Sequence, residues 1–149
     1  VYQALASGDL AGKGTVDAPI GRHRRDRKRM TVVASGKPAV SHYRALKRFG
    51  DATHVEVSLE SGRTHQIRVH MAHIGPPLIG DPVYGHKPRA PSAVTELQFE
   101  AMRAFPRQAL QAFRLRLVHP DSSGAVTFEA PLPEDMVKLL SCLRENEQS

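Results

Sequence analysis

Cations, imidazoles and an amide are concentrated in one stretch of the sequence, residues 62–75. Arg63, His65 and Arg68 lie in it where the pattern of apolar residues changes from the period of a strand to the period of a helix. A strand that leads into a helix start presents unpaired backbone N–H groups and the positive end of the helix dipole, which favour an anion. Because the two arginines add permanent positive charges, the stretch predicts a site for an anionic ligand or partner.

Three histidines in this stretch, His65, His70 and His73, raise the question of a metal site. Their spacings do not bring them together with a nearby carboxylate or thiolate, as a zinc site on a helix requires. The sequence also has no glycine-rich phosphate loop after a hydrophobic strand, and no serine in a nucleophile-elbow pattern. We therefore predict no metal and no nucleotide cofactor, and a nucleic-acid enzyme or binder becomes the favoured class.

The positive charge is unevenly distributed along the chain. Residues 12–48 hold eleven Lys or Arg against two acids, a local net charge of +9, whereas the remainder carries a net charge of −3. The densest part is a basic arm, residues 22–29, whose cations are Arg22, Arg24, Arg25, Arg27, Lys28 and Arg29. Such a block is typical of a face that binds nucleic acid, although a solvated loop would have the same composition.

Hydrophobic periodicity predicts the elements that position these side chains. Residues 54–60 alternate between apolar and polar, as in a half-buried strand. Ile67, Met71 and Ile74 then form one apolar stripe on a helix, which Gly75 ends. The other predicted elements are strands at 1–6, 31–34 and 39–49, a hairpin of 114–118 with 125–130, and helices within 92–105 and from 133. The strands at 31–34 and 39–49 are predicted to pair as a hairpin, and the basic arm to be an exposed loop or hairpin arm.

The length and composition are those of a globular chain that forms one domain or most of one. The predicted strands and helices indicate an α+β domain built on a mixed, largely antiparallel sheet with flanking helices. Of its 149 residues, 40% are hydrophobic and 24% are charged. No apolar run approaches the roughly 20 residues that span a bilayer, and no signal-peptide pattern is present at the N-terminus. We predict no membrane association and a cytoplasmic location.

Two motifs in the chain, Gly62-Arg63-Thr64-His65-Gln66-Ile67-Arg68 and Gly80-Asp81-Pro82-Val83-Tyr84-Gly85, resemble those of the RluA family of RNA pseudouridine synthases. The resemblance extends to Val1-Tyr2-Gln3-Ala4 and to segments 14–20, 36–44 and 107–133, so it covers nearly the whole chain. It is closest to the bacterial large-subunit rRNA synthase D branch. It implies the catalytic fold of that family, with residues 1–149 as its C-terminal portion, and isomerisation of uridine to pseudouridine in large-subunit rRNA without a cofactor.

The resemblance also implies roles for single residues. Tyr2 matches the tyrosine that lies against the uracil ring, and Arg68 matches the arginine that orients the catalytic aspartate. Ile67 is expected to form part of the wall of the uracil pocket, and Arg63 and His65 are expected to lie nearer the RNA. The basic arm is expected to contact the phosphate backbone of the RNA. Asp81, between a glycine and a proline, is expected to shape its loop.

The family's His-Arg-Leu-Asp motif, which supplies the catalytic aspartate, does not occur in this sequence, and neither does an S4-type RNA-binding domain. The resemblance therefore implies that Arg68 faces a carboxylate outside this chain, and that the 149-residue polypeptide alone has no synthase activity. The expected partner is RNA, either large-subunit rRNA or a ribosomal precursor particle, bound by a monomer. Two alternatives remain open: an RNA-binding fragment without chemistry, and a family member that modifies tRNA.

Overall fold

The computed structural model describes residues 1–26, 28–85, 95–112, 114–118 and 125–144. Within these ranges the chain forms strands and helices in the order β1 (Tyr2–Ala6), β2 (Lys13–Asp17), β3 (Ile20–Arg22), β4 (Met30–Val32), β5 (Val40–Arg48), β6 (Thr53–Leu59), α1 (Gln66–Ile74), α2 (Glu96–Arg103), β7 (Leu110–Ala112), β8 (Arg114–Val118), β9 (Ala125–Glu129) and α3 (Glu134–Arg144). None of the described helices is long and apolar enough to cross a membrane.

Five strands form the main sheet, in the order β2-β5-β6-β1-β7. Every strand pairing among the described residues is antiparallel, including the two small sheets β3-β4 and β8-β9. The predicted α+β class is confirmed, and so is the predicted hairpin of β8 with β9. β6, the strand that precedes residues 62–75, lies at the centre of the sheet, between β5 and β1.

The two faces of the main sheet carry separate hydrophobic clusters because side chains alternate along each strand. On one face, Ala4, Val55 and Val57 pack with Ile67 and Met71 of α1. On the other face, Leu5 of β1 belongs to the cluster that includes buried residues of α2 and α3. Helix α1 is therefore fixed on the sheet by the apolar stripe that the sequence predicts.

The strand at Met30–Val32 does not pair with β5, so the predicted hairpin between these segments was wrong. β4 pairs instead with β3, with Ile20 opposite Val32 and Arg22 opposite Met30. Both edges of β5 are already occupied by β2 and β6, which leaves no edge for β4. The basic arm consequently forms the connection of the β3-β4 hairpin, in agreement with the prediction of a hairpin arm.

Helix α2 occupies the middle of the predicted range 92–105. It begins after Thr95, whose hydroxyl accepts a hydrogen bond from Gln98 N, while the Gln98 side chain accepts one from Thr95 N. This capping box satisfies two amide groups that a helix start leaves unpaired. Residues 92–94 of the predicted helix lie outside the described residues.

Candidate active site

The loop that leads into α1 is held by the side chain of Gln66. Its Oε1 accepts hydrogen bonds from Ser61 Oγ at 2.9 Å and from the Arg63 backbone N–H at 3.0 Å. His65, the residue before the helix, adopts the left-handed conformation with φ 57°. This conformation is uncommon for a residue other than glycine, and histidine tolerates it better than most.

A buried polar chain fastens α1 to the sheet. Gln66 Nε2 donates to Ser41 Oγ at 3.0 Å, and Ser41 Oγ lies 2.7 Å from His70 Nδ1. His70 Nε2 donates to the Ala18 carbonyl at 2.9 Å, which requires the proton to be on Nε2 in the neutral ring. Nδ1 then accepts from the Ser41 hydroxyl, so every bond in the chain has a defined direction.

The histidines in this protein make stability depend on pH. Burial is the largest cause that lowers the pKa of His54, His65 and His70 below the ordinary 6.5. A histidine whose pKa is lower in the folded state binds more protons in the unfolded chain. Its contribution to the free energy of unfolding is therefore complete above about pH 6.5 and is lost as the pH falls. We expect the free energy of unfolding, measured by urea titration, to decrease between pH 7 and pH 5.

His70 and His73 provide a matched pair of variants for that experiment. His70→Gln should flatten the decrease, because the ring that must stay neutral is removed, whereas His73→Gln changes an exposed residue and should leave the slope as it is. An equal slope in the wild type and in His70→Gln would show that His70 does not contribute.

Arg68 is bound at one edge by Asp81. Its Nε donates to Asp81 Oδ2 at 2.8 Å and its Nη2 donates to Oδ1 at 2.9 Å. The pair is buried: the Arg68 side chain is 11% exposed and the Asp81 side chain is 0% exposed. Burial alone would raise the pKa of Asp81, but the hydrogen bonds from Arg68 and from the Tyr84 and Val83 N–H groups outweigh it and lower that pKa.

This pairing corrects one expectation and confirms another. The carboxylate that occupies the Nε–Nη2 edge of Arg68 belongs to this chain, whereas the resemblance implied a carboxylate outside it. A further carboxylate at the remaining nitrogen stays a prediction. Asp81 does shape its loop as predicted, because Oδ1 also accepts the N–H groups of Val83 and Tyr84 at 3.0 Å each.

Tyr84 lies at the centre of the cluster around Arg68. Its hydroxyl is 2.7 Å from His65 Nδ1 and accepts a hydrogen bond from Met30 N at 2.9 Å. The guanidinium carbons of Arg68 and Arg29 lie 5.0 and 5.4 Å from its ring centroid, within the range of a cation–π interaction. Burial, followed by the charge of Arg68, lowers the pKa of His65, so this ring is neutral near pH 7.

The structure brings some of the predicted site residues together and separates others. His65, Arg68 and Arg29 meet at Tyr84. Tyr2 packs against a different cluster, the apolar one that contains Ile67 between α1 and the sheet. Ile67 is only 4% exposed there, so its side chain is part of the core.

The basic arm is ordered by its own polar contacts. His23 Nδ1 accepts the N–H groups of Arg25 and Asp26, and His23 N donates to the Arg29 carbonyl across the base of the arm. The exposed cations of the arm are Arg22, Arg24, Arg25 and Lys28, and Arg27 lies outside the described residues. The arm therefore presents positive charge to solvent from a defined turn.

A cleft of about 490 Å³ lies between the β3-β4 hairpin and the start of α1. Arg22, Lys37 and Arg63 line it, and Arg63 Nε donates to the Pro38 carbonyl at 2.8 Å, which restricts this side chain. Of the two arginines in the predicted anion-favouring junction, Arg63 lies on the wall of this concave surface, whereas Arg68 is paired with Asp81.

Sequence reasoning missed several residues that hold this site. Tyr84 and Asp81 are in a motif that was recognised, but the pattern did not reveal that they contact Arg68. Ser41 carries no signal in the sequence, because a lone serine on an alternating strand has many structural roles. Its importance depends on a contact with His70 that is 29 residues distant in the chain.

Comparisons with known proteins agree with one another. A family model described as RNA pseudouridylate synthase matches residues 1–73. The chain is 52% identical over 149 residues to the Ribosomal large subunit pseudouridine synthase D of Pseudomonas aeruginosa. This match covers 100% of this chain and 47% of that protein. It is 51% identical over 143 residues to the protein of the same name in Escherichia coli K12, covering 96% of this chain and 44% of that protein.

Solved structures show the same relationship. Human RNA Pseudouridylate Synthase Domain Containing 4 matches with a TM-score of 0.71 and 26% identity over 96% of this chain and 61% of that one. Human RNA Pseudouridylate Synthase Domain Containing 1 matches with a TM-score of 0.67 and 27% identity over 96% of this chain and 64% of that one. The chain spans about half the length of the curated relatives that it matches. The family motifs, the sheet and these comparisons agree, and together they show that the chain belongs to the RNA pseudouridylate synthase family.

Proposed function

We propose that this chain is part of an RNA pseudouridine synthase that isomerises specific uridines in large-subunit ribosomal RNA. The observation that carries the proposal is the identity of about half of all residues, over the full length of the chain, with relatives named for that activity. We further expect a monomer that acts in the cytoplasm on rRNA or on a ribosomal precursor particle.

The geometry of Arg68 supports a role in orienting a catalytic carboxylate. Asp81 holds one edge of the guanidinium, and the ring of Tyr84 lies beneath it, so the group is fixed before substrate binds. Asp81 bonds Nε and Nη2 and does not bond Nη1, the third nitrogen of the guanidinium, which is the donor we assign to a second carboxylate. We infer that this is the position for the family's catalytic aspartate, held ionised by charge-assisted hydrogen bonds.

In the reaction proposed, the bond between C1′ of the ribose and N1 of uracil breaks, the base turns, and a bond from C1′ to C5 forms. C5 loses a proton and N1 gains one, so the product is an isomer of the substrate. The base must leave its stack to be reached, and an aromatic face such as that of Tyr2 is suited to support it.

A binding fragment without chemistry is the second candidate, supported by the exposed cations of the basic arm, Arg22, Arg24, Arg25 and Lys28. The test is to incubate the 149-residue polypeptide, and separately a protein in which it follows the His-Arg-Leu-Asp motif, with a large-subunit rRNA hairpin. We expect pseudouridine only from the longer protein. Turnover by the 149-residue polypeptide would contradict its predicted inactivity, and no turnover by either would favour the binding fragment.

The basic arm should supply phosphate contacts. Replacing Arg24, Arg25 and Arg27 with alanine in the intact synthase should weaken RNA binding. It should also reduce the magnitude of the negative slope of log K against log salt by about 2 to 3, since each of three phosphate contacts contributes about 0.7 to 0.9. Fluorescence anisotropy between 50 and 300 mM salt, about the range over which such contacts matter, would measure both quantities.

A charge-matched control removes three cations from helices α2 and α3, namely Arg103, Lys138 and Arg144, which are all exposed. This variant has the same net charge as the arm variant, so it separates local contact from overall attraction. If both variants lower the slope equally, the arm is not the contact.

A further inference from the structure

The outer edge of β4 is attached to the rest of the protein through a side chain. Met30 is the first residue of β4, opposite Arg22 at the base of the basic arm. Its N–H donates to the hydroxyl of Tyr84 at 2.9 Å. A partly buried backbone N–H needs an acceptor, and here the acceptor is a tyrosine 54 residues later in the sequence.

The same tyrosine contacts a cation at each of two functional elements. Arg29, from the arm, and Arg68, from α1, both have their guanidinium carbon over its ring. Tyr84 is 6% exposed and packs with Ile20 and Val69, so the ring has little freedom to move. A shift of the ring would therefore change the surroundings of both arginines.

The backbone of Tyr84 is tied to the partner of Arg68. Its N–H donates to Asp81 Oδ1, the same oxygen that receives Nη2 of Arg68. Its hydroxyl lies 2.7 Å from Nδ1 of His65, the residue that precedes α1. One residue thus contacts the arm, the helix start, the arginine and the carboxylate that holds the arginine.

We propose that Tyr84 is a positioning residue that couples the RNA-binding arm to Arg68, so that the grip on RNA and the orientation of the arginine depend on one side chain. The proposal rests on the proposed function and assigns different roles to the hydroxyl and the ring of Tyr84. The hydroxyl of Tyr84 anchors the arm, and its ring supports Arg68. Loss of the hydroxyl should therefore affect RNA binding, and loss of the ring should also affect turnover.

Two variants of the intact synthase test these separate roles of the hydroxyl and the ring. Tyr84→Phe removes the hydroxyl, with its bonds to Met30 N and His65 Nδ1, and keeps the ring. KM for an rRNA hairpin should therefore rise about three- to thirtyfold, as expected for two lost hydrogen bonds, while kcat stays unchanged. Tyr84→Leu removes the ring as well, so kcat should also fall. Tyr43→Phe, which removes the hydroxyl of a half-buried tyrosine on β5, is the matched control and should change neither constant.

Hydrogen exchange gives a readout that does not depend on activity. In Tyr84→Phe the Met30 amide should exchange faster than in the wild type, because its acceptor is gone, while the amides of β6 stay protected. Unchanged exchange at Met30, or equal changes of KM and kcat in Tyr84→Phe, would overturn the coupling. An inactive wild type would instead contradict the proposed function, and the exchange result would still decide the role of the hydroxyl.

Discussion

Replacing Arg68 with methionine is expected to lower the free energy of unfolding by about 3 kcal/mol at pH 7, because it leaves a buried carboxylate without its cation. Asp81 would keep the N–H groups of Val83 and Tyr84 but lose both bonds from the guanidinium. Urea unfolding monitored by circular dichroism measures the change.

A substitution of Asp81 shows whether the loss of stability in Arg68→Met comes from the unpaired charge. Asp81→Asn keeps an oxygen for the two backbone N–H groups and removes the negative charge. The double variant with Arg68→Met should therefore be more stable than Arg68→Met alone. If the double variant is as unstable as the sum of the two single variants, the two residues do not interact energetically.

A second ion pair in the chain provides a matched control. Arg48 binds Asp9 through the same two atoms, with Nε 2.7 Å from Oδ1 and Nη2 2.5 Å from Oδ2. The geometry is alike, but both side chains are about half exposed. Arg48→Met should hardly change stability, because water screens the pair and solvates the aspartate that remains.

Replacing Gly80 with alanine is expected to lower the free energy of unfolding by at least about 3 kcal/mol, through backbone strain together with a steric clash. Gly80 has φ +77°, and a Cβ there would lie 2.0 Å from the carbonyl oxygen of Arg107. Its neighbour Ile79 bonds both Leu5 of β1 and Ala109, so a shift of the backbone would disturb the sheet. Thermal and urea unfolding would measure the loss.

Gly62 is the control for this substitution. A Cβ at Gly62 meets nothing within 4 Å, and its φ does not lie in the left-handed region. Gly62→Ala should therefore change stability by less than about 0.5 kcal/mol, as is usual for a surface substitution. Equal losses in the two variants would mean that the carbonyl of Arg107 does not restrict residue 80.

The elements with the clearest periodicity could be predicted from the sequence. The alternation in β6 and the stripe of Ile67 and Met71 gave the central strand and helix, because burial on one face imposes those periods directly. The pairing of β4 could not be predicted. Its choice of β3 depends on both edges of β5 being occupied, which is a property of the whole sheet.

The candidate site was predictable at the level of its motifs and not at the level of its contacts. The residues at 62–68 and 80–85 indicated a family and a set of roles. The bonds that join Arg68 to Asp81 and Tyr84 to Met30 span 13 and 54 residues, and no local pattern reports on them. Roles that depend on such contacts could be assigned only from the structure.

The most direct test of the central claim is mass-spectrometric mapping of pseudouridine in large-subunit rRNA from cells that lack the gene. We predict that defined pseudouridines are absent, that the wild-type gene restores them, and that an Arg68→Lys form does not, since lysine cannot bond Asp81 through two nitrogens. An unchanged set of pseudouridines in the cells that lack the gene would contradict the proposal.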